Sequence, residues 1–199
     1  MASILKVDQI KNTAASGNIQ IPTGYKLVAV DSGAIVAPGG IVQIKYAQKI
    51  DTGSVSLSAG TNAALHTDLE VTITPTSNNS TIKLEAQIFG EHGNSGNVYN
   101  CSVFFYRDTT KLGAPAAGSR LAGVGILPRS YEEANADTTP EFAMYSFYDS
   151  PSTTSAITYK IGMVVRTAET FYINRTVNDA DLNYAERGVS HITATEIAQ

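Results

Sequence analysis

After Gly40 the chain alternates apolar and polar residues with a period of two, the pattern of half-buried β-strands. "IVQIKYAQKI" (41–50) opens the set, and "SVSLSA" and "LEVTITP" follow at 54–59 and 69–75. "TIKLEAQIFG" (81–90) places Ile82, Leu84, Ala86 and Ile88 on one face. Further runs are predicted at 98–107, 119–127, 141–150, 155–167 and 170–176. The last, "SHITATEIA" (190–198), sets Ile192, Ala194, Glu196 and Ala198 on one side. Clusters of Gly, Pro, Asn and Ser separate the runs, as turns do. About eight to ten strands with such punctuation predict an all-β fold. Its expected form is an antiparallel two-sheet sandwich with jelly-roll-like topology. "RSYEEANADTTP" (129–140) reads as the longest loop.

Residues 1–40 follow a different pattern. In "GNIQIPTGYKLVAVDSGAIVAPGG" the apolar residues come in short bursts, each broken by Gly or Pro. The bursts are Ile19 and Ile21, then Leu27, Val28 and Val30, then Ile35 and Val36. Below about 40 residues a chain rarely buries a core alone without disulfides, metals or partners. The stretch is apolar and weakly charged, unlike disordered tails. Docking on the chain's own sandwich is one way to cover the bursts, and self-association is the preferred one. Three chains side by side would bury Ile19, Ile21, Leu27, Val30, Ile35 and Val36 against their copies, around a closed rotation axis. The chain therefore divides into a short β-rich segment, 1–40, and a sandwich, 41–199.

Composition sharpens the picture mainly by exclusion. Charged residues make up 16% of the 199 and the net charge is −4, with no basic stripe, which argues against nucleic-acid binding. "MASILKVDQIKN" has no basic start and no apolar run of roughly 7–15 residues, so it does not read as a signal peptide. No stretch approaches the roughly 20 apolar residues of a membrane span. The expectation is synthesis in a cytoplasm and no membrane insertion. The single cysteine, Cys101 in "YNCSVFFY", reads as a small buried hydrophobe, because the local sequence offers no basic or histidine neighbour to activate it.

Candidate chemistry is sparse. His66, His92 and His191 lie far apart and have no metal-site spacing. On a trimer axis, His191 is the one best placed to meet its copies. Glu132, Glu133, Asp137 and Glu141 suggest the paired carboxylates of a glycosidase, but crowd into one polar loop. "DADLNYAE" (179–186) offers oxygen ligands without the pattern or glycine of an EF-hand. No Gly-x-Ser-x-Gly elbow and no phosphate-binding lysine loop occurs. The reading is therefore no catalytic residues, no metal and no cofactor. The aromatic residues of the strands read as core and inter-subunit packing. Tyr131 and Tyr184, on loops, are the candidates to stack on sugar rings, and the chain contains no tryptophan.

Several stretches resemble short fibre proteins of tailed bacteriophages, particularly marine and environmental ones. "SILKVDQIKNTAASGNIQIPTGYKL" resembles their N-terminal attachment and shaft segment, and "GAIVAPGGIVQIKYA" the junction into their C-terminal domain. "EVTITPTSNNSTIKLEAQI", "FYDSPSTTSAITYKIGM" and "HITATEIAQ" resemble their strand–turn–strand pieces and closing strand. The resemblance implies a homotrimeric virion fibre, made in the host cytoplasm and assembled on the particle, with a β-sandwich head turned outward. Ile4, Leu5, Val7 and Ile10 would anchor it to other virion proteins. Host attachment would run through the head, with a cell-surface glycan as partner and Tyr131 and Tyr184 as contacts. The fibre's place stays open between the tail and the capsid, as a head fibre or decoration protein. A glycan-degrading enzyme of the particle is the remaining alternative.

Overall fold

The structure, a computed structural model, describes residues 22–24, 26, 37–93, 100–127 and 138–199. The chain divides into two compact units, 1–35 and 36–199.

The strands of the second unit are β1 (Ile41–Lys49), β2 (Gly53–Leu57), β3 (Ala63–Ala64), β4 (Glu70–Ile73), β5 (Thr81–His92), β6 (Cys101–Arg107), β7 (Thr110–Leu112), β8 (Glu141–Asp149), β9 (Ile157–Val165), β10 (Glu169–Ile173) and β11 (Ser190–Ile197). One short 3₁₀ turn, Thr67–Leu69, precedes β4. All strand-to-strand ladders are antiparallel. The six-stranded sheet runs β1-β11-β5-β8, and β10 and β2 extend the β11 side of β5 beyond the end of β11. The five-stranded sheet runs β4-β9-β6-β7, with β3 continuing β4 along β9. The first strand thus lies beside the last, and the chain crosses repeatedly between the sheets. That connectivity is a jelly roll. The fold class is the expected all-β sandwich.

The alternation read from the sequence is realised most cleanly in β5, where Ile82, Leu84, Ala86 and Ile88 are buried between the sheets. Facing them are Val103 and Phe105 of β6 and Tyr159, Ile161 and Met163 of β9. β9 reads as near-continuous apolar sequence because its second half is covered on both faces. The segment 119–127, expected as a strand, is a loop whose only β-bridge to β6 among the described residues is Val103–Gly125, beside hydrogen bonds between Leu127 and Cys101. A side chain at Gly123 would strike the Val103 carbonyl, so the loop runs too close to β6 for an ordinary ladder. The short β3 and β7 escaped the sequence pattern because two or three residues carry no readable period.

Polar ties close the sandwich. Glu196 of β11 is fully buried. Its Oε1 accepts from Thr76 N, Thr76 Oγ1 and Ser80 Oγ, each at 2.7 Å, and its Oε2 accepts from Gln43 Nε2 at 2.6 Å. Asp149 of β8 joins the two sheets, accepting from Tyr159 OH at 2.7 Å and from Arg107 Nη1 at 3.1 Å. Asn174 takes a left-handed φ of 61°, and its Nδ2 donates to the carbonyls of Lys49 and Asp51, both at 2.8 Å.

Candidate interaction surface

Strand pairing first assembles a buried polar cluster that spacing alone conceals. β5 ends at His92, β10 begins at Glu169 and β6 begins at Cys101. His92 Nδ1 lies 2.8 Å from Glu169 Oε1, and Nε2 lies 2.7 Å from the Leu127 carbonyl. Both neighbours are acceptors, so the ring donates from both nitrogens as an imidazolium. Burial alone would lower its pKa. Hydrogen bonds to Cys101 and Glu169, with the Glu169 charge, outweigh that and push it up to about 10. The thiol therefore does have a histidine neighbour, contrary to the local sequence reading, and thiol, imidazole and carboxylate are the ingredients of an activated nucleophile. In this arrangement the three groups are kept from solvent. Cys101 is 4% exposed and His92 1%, and the ring nitrogen not held by Glu169 is bonded to Leu127. Cys101 is buried, as expected.

The other candidates separate. His66 caps the 3₁₀ turn and His191 lies on the outer face of β11. Among the described residues, no three His, Cys, Asp or Glu side chains gather as a metal site. Asp179 is bound by Arg175 and Arg187, which occupy the carboxylate a calcium ion would need. Glu141 is buried at the start of β8; its partners in the glycosidase reading, Glu132, Glu133 and Asp137, lie outside the described residues. So do Ile4, Leu5, Val7, Ile10, Ile19, Ile21, Leu27, Val30, Ile35, Val36 and Tyr131. Tyr184 is described and exposed, on the loop between β10 and β11.

The exposed apolar residues do gather. Register with β5 puts Ala143, Tyr145 and Phe147 of β8 inward, and Phe142, Met144 and Tyr148 outward. Those three are 54%, 65% and 59% exposed. On the opposite edge strand, register with β11 turns Ile44 and Tyr46 of β1 to the same outer face, where Tyr46 is 74% exposed. Between the edges the face is polar along most of its length, with Phe89 of β5 beside Phe142 at one end. It carries Lys83 and Glu85, paired at 2.8 Å, then Gln87, Thr193 and Thr195. Two apolar stripes thus flank a polar band. The outer face of the other sheet differs, because its large apolar residues Phe104 and Val164 are buried. Single exposed apolar residues are ordinary, but contiguous ones mark a contact surface. The sequence concealed this stripe because "EFAMYSFYDS" is apolar at both parities, and only the partner's register says which parity faces out.

No family model matches the chain. No curated protein matches it either. Among solved structures it is similar to the infectious bursal disease virus VP2 subviral particle, at 11% identity and a TM-score of 0.37. The match covers 89% of this chain and 49% of that one, so the chain spans about half the length of that protein.

Proposed function

We propose that this chain is a structural protein of a bacteriophage virion, a homotrimeric fibre with its jelly-roll head turned outward for host attachment. Residues 1–40 join it to other virion proteins and start the trimer. The observation that carries the assembly is the pair of apolar stripes on opposite edges of one sheet face. A stripe on each edge suits a heterologous contact, in which β8 of one copy meets β1 of the next. Such a contact repeats from copy to copy, and with a rotation of a third of a turn it closes as a ring of three. The ordered series of fibre-like stretches supplies the virion setting, and repeated heads supply avidity from individually weak host contacts.

Light scattering on the intact protein at micromolar concentration tests the assembly. A particle three times the 21.1 kDa chain mass is expected, and a well-folded species of 21.1 kDa alone would refute it. Images of assembled particles test the place. Density for the head at the tail makes the protein a tail fibre. Density at capsid vertices or faces makes it a head fibre or decoration protein, and density at neither refutes the virion role.

A further inference from the structure

Most described cations in this net-negative chain are already spoken for. Lys49, Lys83, Arg107, Lys160, Arg175 and Arg187 each hold a carboxylate. Lys111 and Arg120 are among those that do not, and both line one cavity. On the outer face of the five-stranded sheet, the loop after β7 passes the turn after β2 and encloses an open cavity of about 310 Å³. Its lining includes Asn62, Lys111, Ser119, Arg120, Leu121 and Val164, with no Asp or Glu. Lys111 Nζ stands 4.1 Å over the centre of the Phe104 ring and donates to Asn62 Oδ1 at 3.0 Å. Burial lowers its pKa, the mark of a cation kept partly from water without an anion. Arg120 spends Nη1 on the Ala117 carbonyl at 3.2 Å, and its remaining guanidinium N–H groups have no partner among the described residues. A second cavity, of about 330 Å³, adjoins the first across Arg120, Leu121 and Ala122 and continues past Ile126.

We infer that this groove binds an acidic saccharide. The anionic group of one sugar unit sits between Lys111 Nζ and the Arg120 guanidinium, the carbon face of its ring lies along Leu121, and the next unit enters the adjoining cavity. Guanidinium and ammonium supply charge-assisted hydrogen bonds to a carboxylate or phosphate oxygen. Asn62 and Ser119 supply the polar contacts that sugar hydroxyls require. A small cavity with two cations fits a single anionic group; a nucleic-acid backbone would need a longer basic track. The inference rests on reading the head as a host-attachment surface, and it moves the sugar contact away from Tyr131 and Tyr184.

The test is calorimetric titration of the full-length protein with a uronate-containing disaccharide, its uncharged glucose counterpart, glucose 6-phosphate and inorganic phosphate. Saturable binding of an acidic sugar is expected, at least about tenfold tighter than the neutral one and weakened by salt. The uronate and phosphate arms identify which anion the groove takes. Arg120→Gln and Lys111→Gln should each lower the affinity about tenfold, the loss of one charge-assisted contact of roughly 1.4 kcal/mol. Arg120 is exposed, so its variant leaves the fold intact even where Lys111→Gln disturbs Phe104. Equal binding of charged and neutral sugars would overturn the inference. So would variants that bind like the parent, or inorganic phosphate that binds as tightly as any sugar. Mass measured on the same samples separates the two readings. A trimer indifferent to every sugar sinks the groove alone, and a monomer that binds acidic sugar sinks the trimer alone.

Discussion

At the scale of single residues, two buried charges set opposite pH limits on stability. Burial would raise the pKa of Glu196, but hydrogen bonds from Gln43, Ser80 and Thr76 outweigh it and hold the carboxyl below its usual 4.5. Its stabilising contribution is therefore present above about pH 4.5 and is lost as pH falls through the lower folded value. Glu196→Gln removes the charge and turns an NH₂ toward donors. It should cost about 1.5–3 kcal/mol at pH 7 and much less near pH 3.5, read from urea midpoints. His92 works the other way. Its folded pKa, about 10, lies above the usual 6.5, so its contribution is complete below pH 6.5 and fades as pH rises toward 10. His92→Gln should abolish that decline. If the parent protein has the same urea midpoint at pH 6.5 and pH 10, the imidazolium assignment fails. Neither site could be read from sequence. His92 and Glu169 are 77 residues apart, and Glu196 stands 153 residues from Gln43, so only the pairing of strands makes them neighbours. Glu196 did leave a trace, as the one charged residue on the inner parity of its strand.

At the scale of elements, legibility follows how many faces of a strand are covered. β5 and β11 alternate because one side meets the core and the other meets water, and their bounds could be read closely. β9 and β6 lack alternation where both sides are covered, and the reason sits at Gly162. A Cβ there would lie 2.6 Å from the Phe104 ring and 2.9 Å from the Ala63 carbonyl. Glycine lets Phe104 lie across β9 on the outer face, where it is fully buried beneath Lys111. Gly162→Ala should therefore destabilise by about 1–3 kcal/mol, the cost of overpacking a filled site. A thermal midpoint equal to the parent's would show that the site has slack.

At the scale of the whole molecule, the proposed trimer makes a specific prediction about the edges of the six-stranded sheet. β8 and β1 are separated by β5 and β11, so their outer stripes lie about 14 Å apart within one copy at the usual strand spacing. At that range, across solvent at physiological salt, a charge on one stripe hardly senses a charge on the other. Between copies joined β8 to β1, the same two charges would be in contact. Met144→Glu alone should shift dissociation of the trimer to higher protein concentration by tenfold or more, because a desolvated carboxylate would face an apolar partner. Tyr46→Lys alone should do the same. The double variant should recover much of the loss, since each glutamate then meets a lysine of the neighbouring copy. Light scattering over a dilution series reads all three. Recovery in the double variant requires the heterologous contact. If the losses simply add, the two stripes do not face each other, and the proposed heterologous contact is refuted.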